Sequence, residues 1–269
     1  IYVGYKWFET AAHEGVYDSV DNTSLYGENA KGYYGIMQYP FGFGLTYTDF
    51  EWTVKSVKSF DGEKELADNK INENTTFEIV VEVKNIGEQP GKDVVEAYVT
   101  VPYTKGGIEK SYVSLVGYAK TETIMPGATQ EVTVKIDAYD FISYDCYDKN
   151  NNGFKGYELE AGDYEIKLQT DSHNIKEAIL PGKTTAEAAI FTFNVAETIK
   201  LPTDKYTGAE VKNLFTGDDA IDGFSLDGIE SDYNANIPWM TRADFKDGYE
   251  IPERTDEVKN RTASAGAAA

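Results

Sequence analysis

The sequence predicts a mostly β chain built around an antiparallel β-sandwich, on three observations. Apolar residues recur at every second position in five runs between residues 77 and 195. Turn-forming clusters separate the runs. Amphipathic helical spacing is weak along the whole chain.

The runs fall in order. Phe77, Ile79, Val81 and Val83 alternate with Glu78 and Glu82; Val95, Ala97, Val99 and Val101 with Glu96, Tyr98 and Thr100. Val132, Val134 and Ile136 alternate with Glu131, Thr133 and Lys135; Tyr164, Ile166 and Leu168 with Glu165, Lys167 and Gln169; Ala189, Phe191, Phe193 and Val195 with Thr192 and Asn194. Strand side chains point to opposite faces in turn, so each run reads as a strand with one buried face. Trp52 to Phe60 and Ser111 to Tyr118 add two more, giving seven. Gly87–Gly91, Gly106-Gly107, Pro126-Gly127, Asn150–Gly153 and Gly162-Asp163 supply the turns. Seven short strands joined in this way fit a sandwich.

Composition divides the chain into four. Residues 1–50 are aromatic and glycine-rich, 51–197 carry the sandwich, 198–235 read as an acidic linker, and 236–269 begin with an apolar-aromatic cluster and run into a charged, then alanine-rich, tail. The 46 acidic and 25 basic residues give a net charge of −21, a field that repels nucleic acid and anionic membrane and is indifferent to a neutral sugar. No stretch approaches the roughly 18 apolar residues of a membrane helix. Cys146 is the only cysteine, which excludes an internal disulfide. The chain opens at Ile1 rather than methionine, so the lack of a visible signal peptide leaves cytoplasmic and secreted locations both open.

Tyr39-Pro-Phe-Gly-Phe-Gly-Leu-Thr-Tyr-Thr48 closely resembles the PFGFGLSYT signature of family 3 glycoside hydrolases. Val3 to Thr10 resembles that family's VGYRYYDT strand, Val83 to Val95 its VKNTGxxxGxEVV run, and Tyr157 to Tyr164 its YxLEAGDY run. The resemblance covers about residues 1–200 and extends more weakly to Asn236–Phe245, which resembles the lead-in to the barrel in permuted bacterial members. It implies that residues 1–50 are the end of an α/β-sandwich domain, that 51–197 form an immunoglobulin or fibronectin type III-like sandwich, and that 236–269 lead toward a (β/α)8 barrel. Pro40, Phe41, Gly42, Phe43, Gly44 and Leu45 would form the junction. Its glycines would allow positive φ or close backbone approach, and its aromatics would be buried.

Catalysis is not expected of this chain alone. A retaining glycosidase needs a nucleophile and an acid/base, both carboxyl groups. In the resembled family the nucleophile is an Asp at the end of a barrel strand, in a Ser-Asp-Trp context, and a barrel Lys-His pair contacts the sugar. Ser231-Asp232-Tyr233 matches only superficially, because its flanks Gly228–Glu230 and Asn234–Asn236 offer no apolar strand. Neither His13 nor His173 follows a lysine, and they are too far apart in sequence to suggest a ligand pair. Asp148–Gly153 resembles half a calcium loop, but its twelfth position is Leu159 rather than a bidentate Glu, and an Asn-Gly turn explains it more simply. No catalytic residue, metal ligand or cofactor is therefore assigned. Tyr5, Trp7 and Trp239 are the candidates for the rim of a sugar site, with interdomain packing as the alternative for each.

Two functions remain to be separated. One is a non-catalytic part of a β-glucosidase-like enzyme, whose partners are the barrel and α/β-sandwich domains and whose intact form acts on carbohydrate. The other is a stand-alone sandwich that binds polysaccharide or protein. A spacer of tandem sandwiches would need repeats, and none occur. A large exposed apolar patch within residues 1–50 favours the first, and a closed polar surface the second.

Overall fold

The structure is a computed structural model that describes residues 1–213 and 241–245. Thirteen strands follow in chain order: β1 (Phe50–Asp61), β2 (Lys64–Glu65), β3 (Thr75–Asn85), β4 (Val94–Thr100), β5 (Ser114–Lys120), β6 (Thr129–Asp137), β7 (Ser143–Asp145), β8 (Gly156–Leu159), β9 (Gly162–Gln169), β10 (Glu177–Ile179), β11 (Ala186–Ala188), β12 (Ile190–Val195) and β13 (Ile199–Leu201). Two sheets face each other. One has the order β11-β10-β1-β3-β6, with β2 paired to β1; the other is β12-β9-β4-β5. The seven expected strands are β1, β3, β4, β5, β6, β9 and β12, and every pairing among them is antiparallel. A small third sheet, β13-β8-β7, lies at one end.

The alternating residues make the core. Trp52, Phe77, Ile79, Val81, Val83, Val95, Ala97, Val134, Tyr164, Ile166 and Leu168 are sealed from solvent in one cluster between the two sheets. Phe77 packs edge-on against Phe193 with ring centres 4.7 Å apart. This burial is the main source of the fold's stability, since each large apolar side chain removed from water contributes roughly 1.5–3 kcal/mol.

The structure departs from the sequence expectations in four places. The strand expected near Val3–Thr10 is a helix, α1 (Tyr5–His13). No strand among the described residues pairs with it, and a helix satisfies its own backbone bonds where a lone strand cannot. The start of the expected linker is ordered instead, because Ile199–Leu201 pairs with β8 and buries Leu201. The strands β4 and β9 bury both faces rather than one: Glu96, Tyr98, Lys167 and Gln169 are as inaccessible as the apolar residues between them. Residues 1–48 cover that second face, so the second sheet is the middle of three layers. The fourth departure concerns the junction motif and is described below. Asp218 through Asp232 of the acidic stretch, and Trp239, lie outside the described residues.

Candidate functional site

The outer layer is joined to the sandwich through polar side chains. Glu9 of α1 is 2% exposed. Its Oε1 accepts hydrogen bonds from the Tyr33 hydroxyl at 2.6 Å and from Ser172 Oγ at 2.8 Å, and its Oε2 lies 2.8 Å from His173 Nδ1. The Tyr33 and His173 rings stack at 3.7 Å, 3° from parallel. One carboxylate thus joins the helix, the turn Gly32–Gly35 and the loop after β9. Burial and the Glu9 carboxylate both push the Tyr33 hydroxyl above the usual tyrosine range, so it stays protonated as a donor. Ser172 donates to a carboxylate rather than to an imidazole, so the cluster lacks the nucleophile–base pair of acyl transfer.

Beside it is a cavity of about 210 Å³ lined by Glu9, His13, Tyr112, Lys167, Ser172 and His173, among others. The two histidines, 160 positions apart in the chain, therefore share one cavity wall. His13 stacks on Tyr112 at 3.9 Å. Burial, then the Arg242 charge, holds its pKa below the ordinary value. Lys167 Nζ bonds Thr100 Oγ1 at 2.9 Å and the Tyr112 hydroxyl at 3.2 Å, and it pairs with Glu165 at 3.1 Å. With two hydrogen bonds and an ion pair, its ammonium holds the wall together. Nothing in the sequence pattern marked Glu9, Tyr33, Ser172 or Lys167. The only local sign was the polar turn-forming run Asp171–Asn174 directly after a strand.

The junction motif crosses the same face. Pro40 is buried, and the Phe41 carbonyl accepts from the Ser172 amide at 2.8 Å. Tyr5 lies beneath it. The Tyr5 ring stacks on Phe41 at 4.6 Å and meets Tyr98 edge-on at 6.1 Å, while its hydroxyl accepts from the Leu115 amide at 2.9 Å. Gly42 has φ +89°, and a Cβ there would come within 2.4 Å of Glu96 Oε2. Both reasons for a glycine hold at this position. Gly44 has an ordinary φ and open space around it. The aromatics expected to be buried are not. Tyr39, Phe41 and Phe43 are about half exposed, Leu45 is 88% exposed and Tyr47 is 94% exposed. Gly42 presses the loop onto Glu96, and the side chains that follow it are directed away from the sandwich. With Tyr34 and Ile36 they leave seven exposed large apolar or aromatic side chains within 14 residues.

Of the rim candidates, Tyr5 is held under the junction and Trp7 packs edge-on against Phe245 at 4.6 Å; Trp239 lies outside the described residues. In the loop 146–155, the Asp148 carboxylate accepts from the amides of Asn152 and Gly153. The side chains of Asn150 and Asn152 donate to the fully buried Glu158. These bonds give the polar groups of the asparagine-rich turn their partners.

The fold has known counterparts. Residues 93–172 match the fibronectin type III-like domain family. The chain is 32% identical over 177 residues to a β-glucosidase of Ruminococcus albus, covering 66% of this chain and 15% of the relative. It is 34% identical over 172 residues to β-glucosidase A of Butyrivibrio fibrisolvens, covering 63% of this chain and 18% of the relative. Its fibronectin type III-like region is that of the family 3 glycoside hydrolases. A solved β-glucosidase from Paenibacillus barengoltzii superposes on this chain with a TM-score of 0.50 at 30% identity, over 73% of this chain and 18% of that one. The fibronectin type III-like chain thus spans less than a fifth of the length of each of these relatives.

Proposed function

We propose that this chain is a non-catalytic supporting module of a β-glucosidase-like family 3 glycoside hydrolase. The intact enzyme hydrolyses a terminal β-linked glucose, or a related sugar, with retention. Residues 1–50 are the end of its α/β-sandwich domain, and the chain after residue 236 leads toward its barrel. The barrel and the rest of the α/β-sandwich domain are the partners, and they supply both catalytic carboxyl groups.

The observation that carries this reading is the exposed face of residues 34–47. A run of exposed apolar and aromatic side chains on a loop pinned in place by Pro40, Gly42 and the Ser172 amide is a surface suited to being covered. A loop that folded over itself would have buried Leu45 and Tyr47. The resemblance of the motif to a domain junction gives the covering surface an identity, and the match to short stretches of longer β-glucosidases is in keeping with it.

The test is hydrolysis of a chromogenic β-glucoside by the chain alone and after mixing with a polypeptide that carries a family 3 barrel and α/β-sandwich domain. Activity only in the mixture is the expected result. Turnover by the chain alone would overturn the non-catalytic reading and direct mutagenesis first to Asp232. Silence in both, together with saturable binding to a glycan array, would favour the stand-alone binding module.

A further inference from the structure

Residues 241–245 return to the outer layer and are held there by two anchors. Arg242 is only 4% exposed. Its Nε donates to Glu14 Oε1 at 2.6 Å, its guanidinium carbon lies 4.1 Å from the centre of the Tyr103 ring, and its backbone amide donates to Glu109 Oε2 at 2.9 Å. Three positions on, Phe245 is 6% exposed and meets Tyr2 and Trp7 edge-on at 4.9 and 4.6 Å. The 3-10 turn Arg242–Asp244 sets the spacing, and the Thr241 hydroxyl closes it on the Asp244 carboxylate.

The receptor is composite. Tyr2, Trp7 and Glu14 belong to the outer layer; Tyr103 and Glu109 belong to the segment between β4 and β5. The Tyr2 hydroxyl donates to Glu109, which draws the two halves together. Neither half alone provides both the aromatic slot and the paired carboxylates. A guanidinium fits such a site better than an ammonium, since it can stack on Tyr103 while donating in its own plane to Glu14. The site also discriminates. Two carboxylates in a chain of net charge −21 reject acidic segments and accept a cation. A buried ion pair adds little net stability but is costly to break from one side, so its usual effect is to fix registry.

We propose that this groove is a recognition site for an arginine–aromatic turn, filled in cis by Arg242 and Phe245, and that filling it clamps α1 onto the sandwich. Docking of the outer layer then depends on a segment some 230 residues downstream of α1, anchored at Phe245 against Tyr2 and Trp7. The clamp requires no catalytic domain, so its test is separate from that of the enzymatic reading.

A specific protease site placed between residues 218 and 232 of the full chain lets the part carrying Arg242 be severed after folding. The expected result is that the severed piece, dye-labelled, stays bound one-to-one at micromolar concentration by size exclusion and fluorescence anisotropy. Arg242→Ala and Glu14→Gln should each weaken retention roughly ten- to a hundredfold, and the pair together no more than either alone. Release of the piece should raise hydrogen exchange in α1 and leave β3 unchanged. A wild-type piece that leaves while the sandwich keeps its circular dichroism would overturn the proposal. So would an Arg242→Ala piece that stays, or a piece held only in exchanged dimers.

Discussion

The two faces of the central strands β4 and β9 are both buried, but by different means. The inner face is closed by Val95, Ala97, Val99, Ile166 and Leu168 against the other sheet. The outer face carries the buried side chains of Glu96, Tyr98, Lys167 and Gln169, and the N-terminal layer is tied over it by hydrogen bonds from the Tyr112 and Leu115 amides to Thr10 and Tyr5, and from Ser172 to Glu9 and the Phe41 carbonyl. Apolar packing is tolerant and additive, whereas a polar layer is specific and fails when one partner is lost. The inner face therefore sets whether the chain folds. The outer face sets where the N-terminal layer sits, and with it the direction of the exposed junction side chains.

The comparison can be broken first at the core. Phe77→Ala should cost about 3–5 kcal/mol in a denaturant titration and unfold both regions together. A loss below about 1 kcal/mol would mean that the inner face is not the main support. Next, Glu9→Ala strands Tyr33, Ser172 and His173. It should cost about 1–3 kcal/mol, seen as faster hydrogen exchange in α1 with β3 unchanged. Equal acceleration in both would erase the distinction between the regions. Gly42→Ala should follow at about 1–2 kcal/mol, because it combines a strained φ with contact on Glu96. The readout is near-ultraviolet dichroism of the Tyr5–Phe41 stack.

Glu96 sharpens the comparison through pH. Burial raises its carboxyl pKa; the Tyr98 hydrogen bond lowers it in part, and Asp171 raises it further. A raised pKa in the folded state gives stability that is full below the unfolded value, roughly 4.3, and is lost as pH rises through the folded value. Glu96→Gln lacks this loss. Its stability relative to wild type should therefore improve between pH 4 and pH 7, and a difference that does not change with pH would refute the burial account. The smallest stability effect is expected at Leu45. Leu45→Ser in the isolated chain should change stability by no more than about 0.5 kcal/mol. It should still weaken association with the barrel and α/β-sandwich polypeptide, which a calorimetric titration would measure.

The sandwich was legible because its signal is local. Period-two alternation at Phe77–Val83 and Val132–Ile136 follows from strand geometry alone, and turns such as Pro126-Gly127 mark where each run ends. Residues 39–48 were legible as a motif, and so was the special role of Gly42. Their exposure was not, since Phe41, Phe43 and Leu45 read as buried on hydrophobicity alone.

What the amino-acid order determined by itself was the seven main strands, their core-facing residues, the lack of an internal disulfide and the resemblance at residues 39–48. Tertiary structure decided the rest. Whether residues 3–10 became strand or helix depended on whether a partner strand lay beside them. That Glu9 meets His173, that His13 shares a cavity with it, and that Arg242 reaches Glu14 depend on contacts spanning 160 to more than 220 positions. No short-range periodicity encodes such contacts. They form only when the sandwich has brought the loops after β4 and β9 to one side, where a polar residue is buried because its partners are already there.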